Sequence, residues 1–141
     1  MKKYIGTKVI MAEPMTMTEA QKVLGKELKP ATVEEDGYLV EYNDGYKSWS
    51  PKSVFEEAYK PSETVLDRLK IEHTELKERI KKLEAFFGDD FDEGIKKVGT
   101  HQAALLLIQH AFMENYLDTL ETRIDLMEEN NENNENNEYK Q

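Results

Sequence analysis

The sequence predicts an α+β protein: a small antiparallel β-sheet module followed by a long antiparallel helical hairpin that oligomerises. Three observations predict it. Between residues 62 and 128, apolar side chains recur every seven residues with a four-three split on two arms, the pattern of a packing seam along a helix. Asn43-Asp44-Gly45 separates two short runs rich in Tyr, Val and Trp, and Asn, Asp and Gly tolerate the backbone of a tight hairpin turn. The second arm also carries Leu105, Leu107, Ile108, Ala111, Phe112 and Tyr116 outside its seam. A helix apolar that far round buries a second face, which a two-helix hairpin alone does not supply.

Taken in order, residues 3–11 alternate and hold Tyr4, Ile5, Thr7, Val9 and Ile10, so they read as a strand that Pro14 ends. Thr16 and Glu19 form a capping box that opens a short helix carrying Val23 and Leu24 and stopping at Gly25. Residues 26–36 are polar, contain Pro30, and read as a connecting loop. Residues 37–42 form a second strand and 46–49 a third, joined by the Asn-Asp-Gly turn. Ser50 is the expected N-cap of the next helix, with Pro51 at its first position. That helix carries Val54, Phe55, Ala58 and Tyr59 and stops near Pro61. Three strands can bury their apolar faces only against a helix or a second sheet.

Ser62 is the expected cap of the long first arm, whose seam is Leu69, His73, Leu76, Ile80, Leu83 and Phe87. The second arm repeats the rule with Leu106, His110, Met113, Leu117, Leu120, Ile124 and Met127. Residues 88–94, with Asp89, Asp90, Asp92 and Glu93, read as a solvated turn; for a calcium loop the glycine is one place early and no glutamate closes the twelve residues. Folding about Glu93 brings His73 and His110 within about one turn of each other, as hydrogen-bonded interface histidines or as a metal or proton-relay pair. Residues 129–138 repeat Asn-Asn-Glu, and 129–141 reads as a disordered acidic tail. The domains expected are therefore 1–61, 62–128 and 129–141.

A net charge of −10 argues against wrapping long nucleic acid, which requires a basic face, but leaves room for a small anionic ligand in a local cationic pocket. The chain has no cysteine, so disulfides, thiolate metal sites and thiol nucleophiles are out. Gly6, Thr7 and Lys8 interrupt any leader-like apolar run, and no stretch approaches the ~20 apolar residues of a membrane span. A soluble, cytoplasmic protein is expected. No catalytic motif is present, no cofactor or metal is expected, and the chain does not read as an enzyme. Tyr42, Tyr46, Lys47, Trp49 and Lys52 gather aromatic and cationic groups near the turn, a composition that suits a nucleobase and its phosphate and equally suits a packed core with Lys47 in water. Arg123 either pairs with Asp67 or Glu63 or binds a phosphate. The mixed charges of the first arm read as a solvated flank.

The run Arg68-Leu69-Lys70, Leu76, Arg79-Ile80, Leu83 and Phe86-Phe87 is followed by Leu105-Leu106-Leu107, Gln109, Phe112-Met113, Tyr116-Leu117, Leu120 and Arg123-Ile124. Together they resemble the helical hairpin domain that the phage Thoeris anti-defence sponge family (the first described type) shares with the anti-CBASS cyclic-nucleotide sponge. The Gly37-Tyr38-Leu39-Val40-Glu41-Tyr42, Ser48-Trp49-Ser50-Pro51-Lys52 and Val54-Phe55 stretches are similar to the β module preceding the hairpin in the Thoeris sponge. The resemblance implies sequestration without cleavage of cyclic ADP-ribose-type signals, the glycocyclic forms, and of cyclic di- or trinucleotides at separate sites. It implies a homo-oligomer, dimer or hexamer, with pockets between protomers, working in the host bacterial cytoplasm. That family stacks adenine on an aromatic ring and holds the pyrophosphate with arginines. Matched by chemistry, this implies Phe87 or Trp49 for stacking, Arg68, Lys70 and Arg123 for phosphate, and Gln109 and Asn115 for ribose or base. The alternative is a structural or adaptor protein whose hairpin oligomerises or binds a partner helix.

Overall fold

The computed structural model describes residues 1–6, 8–29, 33–88 and 91–138. Thr7 of the expected first strand, Pro30 of the loop, Asp89 and Asp90 of the expected turn, and residues 139–141 of the expected tail lie outside them. The chain divides into two compact units, Met1–Lys60 and Pro61–Gln141, with a three-stranded sheet in the first and helices in the second. It is an α+β protein. No described helix is long and apolar enough to cross a membrane.

The sheet has the order β1-β2-β3, with β1 Met11–Pro14, β2 Gly37–Glu41 and β3 Lys47–Pro51, all antiparallel. Strand β1 starts at Met11, eight residues later than the β-rich run beginning at Lys3 suggested. The register explains this. Met11 faces Glu41, and past Glu41 the chain turns, with the Tyr42 N–H donating to the Tyr46 carbonyl and Gly45 at φ 82°. Residues before Met11 therefore have no strand to pair with, and Tyr4, Ile5 and Val9 are exposed.

Neighbouring strand residues point to opposite faces, and both Leu39 (6% exposed) and Val40 (1%) are buried, so the sheet is covered on both sides. On the Val40 side lies α2, Lys52–Ala58, where Phe55 stacks on Tyr38 at 4.1 Å and the Tyr38 hydroxyl donates to Glu56 at 2.8 Å. On the Leu39 side lies Trp49, opposite Leu39 in the ladder, whose Nε1 donates to the Met15 carbonyl at 2.8 Å. Helix α1, Met17–Leu24, leads from that segment. The Thr16–Glu19 capping box opens it and Gly25, at φ 64°, closes it. The N-cap of α2 is Pro51 and not Ser50, because the ladder runs on through Ser50–Tyr38 to Pro51–Gly37 and the helix starts only at Lys52. The orphan amides of α2 are satisfied from the preceding loop instead: Lys52 N–H donates to the Asp36 carbonyl and Ser53 N–H to the Glu34 carboxylate.

In the second unit, α3 spans Val65–Phe87. Its N-cap is Thr64 and not Ser62, because Thr64 and Asp67 exchange reciprocal bonds of 3.0 and 2.9 Å. The connection that was read as a solvated turn contains a helix, α4 Phe91–Val98, and Gly99 at φ 83° leads into α5, Thr100–Glu138. Its acids Asp92 and Glu93 sit in the first turn and Lys96 and Lys97 in the last, the distribution a helix dipole favours. Helix α4 approaches the end of α3 closely enough that a Cβ on Gly94 would lie 2.4 Å from the Phe87 ring.

Helices α3 and α5 pack around Leu69, Leu76, Ile80 and Leu120, with Met113, Leu117, Ile124 and Met127 against them. Contacts ascend one helix as they descend the other: Lys70 to Glu128, His73 to Glu121, Glu84 to His110. Helix α5 continues through 129–134 and on to Glu138, where a disordered tail was expected. Extending a formed helix costs far less than nucleating one, and no Gly or Pro interrupts these residues.

Two measurements check this packing. Gly37→Ala drives a methyl into the Trp49 ring and the Ser50 carbonyl, 2.4 and 2.3 Å from the Cβ position. It should destabilise the sheet unit by about 1–3 kcal/mol in urea denaturation; an unchanged midpoint would mean the ring does not lie over Gly37. The backbone and then the side chain of Thr64 hold the Asp67 carboxyl below its ordinary range. A depressed value means the cap stabilises above the unfolded pKa of about 3.9 and is lost as pH falls through the folded value. A carbon-detected NMR titration should place Asp67 below that figure, and a midpoint at or above it would remove the cap from the account.

Candidate functional site

The hairpin unit presents two surfaces with chemical capacity, and Tyr116 joins them. The first is a groove of about 600 Å³ on α5, lined by Leu105, Ile108, Gln109, Phe112, Met113 and Tyr116. Leu105, Ile108 and Phe112 are exposed, Phe112 to 71%. These are the apolar residues left over once the seam is packed, since Leu106, His110, Met113 and Leu117 turn inward.

The second surface carries two arginines. Arg68, near the start of α3, donates from Nη1 to the Ser62 and Glu63 carbonyls at 3.4 and 3.3 Å, which leaves most of its five donors available. Arg123 makes no ion pair among the described residues; Asp67, one of its two expected partners, is committed to the Thr64 cap. The Tyr116 hydroxyl donates to Glu72, one turn after Arg68 on α3. That acceptor, with burial adding, raises the phenol pKa, and the positive charge of Arg123 pulls it the other way. Groove, phenol and guanidinium groups thus share one side of the hairpin.

The other residues expected at a site are distributed along the molecule. Lys70 pairs with Glu128 at 2.5 Å. Gln109 lies in the groove, its Nε2 3.6 Å from the Met113 sulfur. Asn115 donates back to the Ala111 carbonyl at 2.9 Å. Phe87 ends α3, edge-on to Phe86, and stands about 28 Å from Arg68 along the helix at ~1.5 Å per residue. Trp49 belongs to the sheet unit and is 9% exposed, its ring spent on packing. Near the hairpin turn, Lys47 pairs with Glu41 at 2.9 Å, and half-buried Tyr42 and exposed Tyr46 stack at 5.9 Å with Lys8 and Lys26 each 5.8 Å from one of them.

The histidines do not meet. The arms fold about Lys97, not Glu93: His73 and Glu121 are equidistant from it, as are Glu84 and His110, joined at 2.8 and 3.1 Å. The eight residues of α4 move the pivot, and His73 and His110 end about 16 Å apart along the hairpin axis. Sequence reasoning missed Glu114, which lies 3.4 Å from His110 Nδ1; the signal available was its i+4 spacing from His110.

Helices α3 and α5 thus present an apolar groove together with Arg68 and Arg123, which make no ion pair among the described residues. Residues 63–126, a little under half of the chain, match the model of the Sequestin family. No curated protein and no solved structure shows a significant match.

Proposed function

We propose that this chain is a phage counter-defence sponge. It sequesters cyclic ADP-ribose-type signals, glycocyclic ADP-ribose above all, and cyclic di- or trinucleotides, without cleaving them, in the cytoplasm of the host. The observation that carries the reading is the Sequestin match, whose name denotes capture, over the helices that bear Arg68, Tyr116 and Arg123. An aromatic groove running toward guanidinium groups suits a ligand with a base at one end and phosphates at the other. The 28 Å between Phe87 and Arg68 exceeds the reach of one such ligand. Those two residues therefore serve separate sites, or one site shared between copies.

A homo-oligomer covers the exposed face of Leu105, Ile108 and Phe112 and completes pockets between protomers. That face equally supports the second reading, an adaptor that docks a partner helix there.

A mixing experiment separates the readings. The protein is incubated with glycocyclic ADP-ribose and with a panel of cyclic di- and trinucleotides, and free ligand is chromatographed before and after heat release. Depletion followed by recovery of the intact molecule is expected. Recovery of fragments would make the chain an enzyme, and no depletion of any ligand would favour the adaptor. Arg68→Ala or Arg123→Ala should weaken binding by roughly 10- to 100-fold, as loss of ~1.5–3 kcal/mol requires; unchanged affinity in both would exclude this site. Phe112→Glu should dissociate the oligomer in sedimentation velocity while helicity is retained, and an unaltered sedimentation coefficient would place the interface elsewhere.

A further inference from the structure

The two cross-arm His–Glu pairs are alike in geometry and differ in one neighbour. One turn after His73 on α3 comes Lys77, a cation. One turn after His110 on α5 comes Glu114, whose carboxylate lies 3.4 Å from Nδ1 while Glu84 lies 3.1 Å from Nε2. One oxygen from each glutamate and one ring nitrogen all fall within 4.8 Å of one another. We propose that Glu84, His110 and Glu114 form a binding site for a divalent transition-metal ion that ties α5 to the loop-proximal end of α3.

The donor set supports this. An imidazole nitrogen with two carboxylates suits Zn²⁺, Co²⁺ or Ni²⁺ and offers too few oxygens for Ca²⁺ or an octahedral Mg²⁺. Zinc holds such donors at about 2.0–2.2 Å; Glu84 now faces Nε2 and Glu114 faces Nδ1, so occupation swings one exposed carboxylate, through its side-chain torsions, to the nitrogen that the other already faces. The imidazole is half-buried, its side chain 24% exposed, and the carboxylates stand at the rim at 54 and 57%, which leaves an open path for the ion and a coordination position for water. Charge favours occupation too: two carboxylates converge on one ring in a chain of net charge −10, and a divalent cation relieves their repulsion. The His73–Glu121 pair, with Lys77 where the third ligand would stand, serves as the internal control.

The test is calorimetric titration of Zn²⁺ into the chelator-treated full-length protein at neutral pH, repeated with Mg²⁺. One Zn²⁺ per chain is expected at a dissociation constant of roughly 1–100 μM, with no Mg²⁺ binding, and a higher melting temperature for the hairpin's helical signal. His110→Gln and Glu114→Gln should each weaken Zn²⁺ binding at least about tenfold, and His73→Gln should leave it unchanged. Glu114 is exposed, so its variant keeps the fold, which far-UV circular dichroism verifies. Absence of Zn²⁺ binding, binding that survives His110→Gln, or equal loss in His73→Gln would each overturn the proposal. None of these outcomes depends on nucleotide binding.

Discussion

The register between α3 and α5 depends on how closely α4 can tuck against the end of α3. Gly94 sits beneath the Phe87 ring with no room for a side chain, and Lys97 reaches back to the Phe86 carbonyl at 3.2 Å with its ammonium 5.2 Å from the Phe86 ring. This contact sets the pivot at Lys97. Every pairing along the hairpin follows from it: which apolar residues meet in the seam, which glutamate each histidine faces, and which side carries Tyr116 with the guanidinium groups. A shift of one residue in the second arm would rotate its seam by about 100° and turn part of the Leu105–Phe112 face inward.

Much of the hairpin was legible because its signal is periodic. All seven residues assigned to the second-arm seam, from Leu106 to Met127, are buried or half-buried, and Phe112 and its neighbours are exposed as surplus. Seven-residue spacing averages over many positions, so errors at single residues matter little. The pivot was not legible in the same way. Residues 88–94 are rich in Asp and Gly, a turn composition, and the helix signal of Asp92-Glu93 followed by Lys96-Lys97 spans only two turns. The misplacement of the histidine pair followed directly from that one reading.

The sheet unit shows the opposite balance. The Asn43-Asp44-Gly45 turn and the Thr16–Glu19 capping box are local chemistry and stand where the residues place them. The first strand and the N-caps of α2 and α3 depend on partners. Tyr4, Ile5 and Val9 have strand-forming side chains but lie before the register that begins at Met11–Glu41, and Ser50 caps nothing while the ladder runs on to Pro51. Of the expected ligand residues, Gln109 shares the groove with Tyr116, and Arg68 and Arg123 flank the Tyr116–Glu72 bond. Trp49 could not be assigned from composition, because an indole that packs and an indole that stacks a base look the same in a sequence. In the structure the indole packs, donating to Met15 and lying close over Gly37.

The placement of Trp49 has an optical consequence. It is the chain's one tryptophan, and it lies inside the sheet unit. Helices α3, α4 and α5 hold 23, 8 and 39 residues against 8 and 7 in α1 and α2. Indole emission therefore reports on one unit alone, while ellipticity at 222 nm is dominated by the other. A single unlabelled sample carries two independent spectroscopic channels, and whether their transitions coincide reveals directly if the two units unfold as one cooperative body or separately.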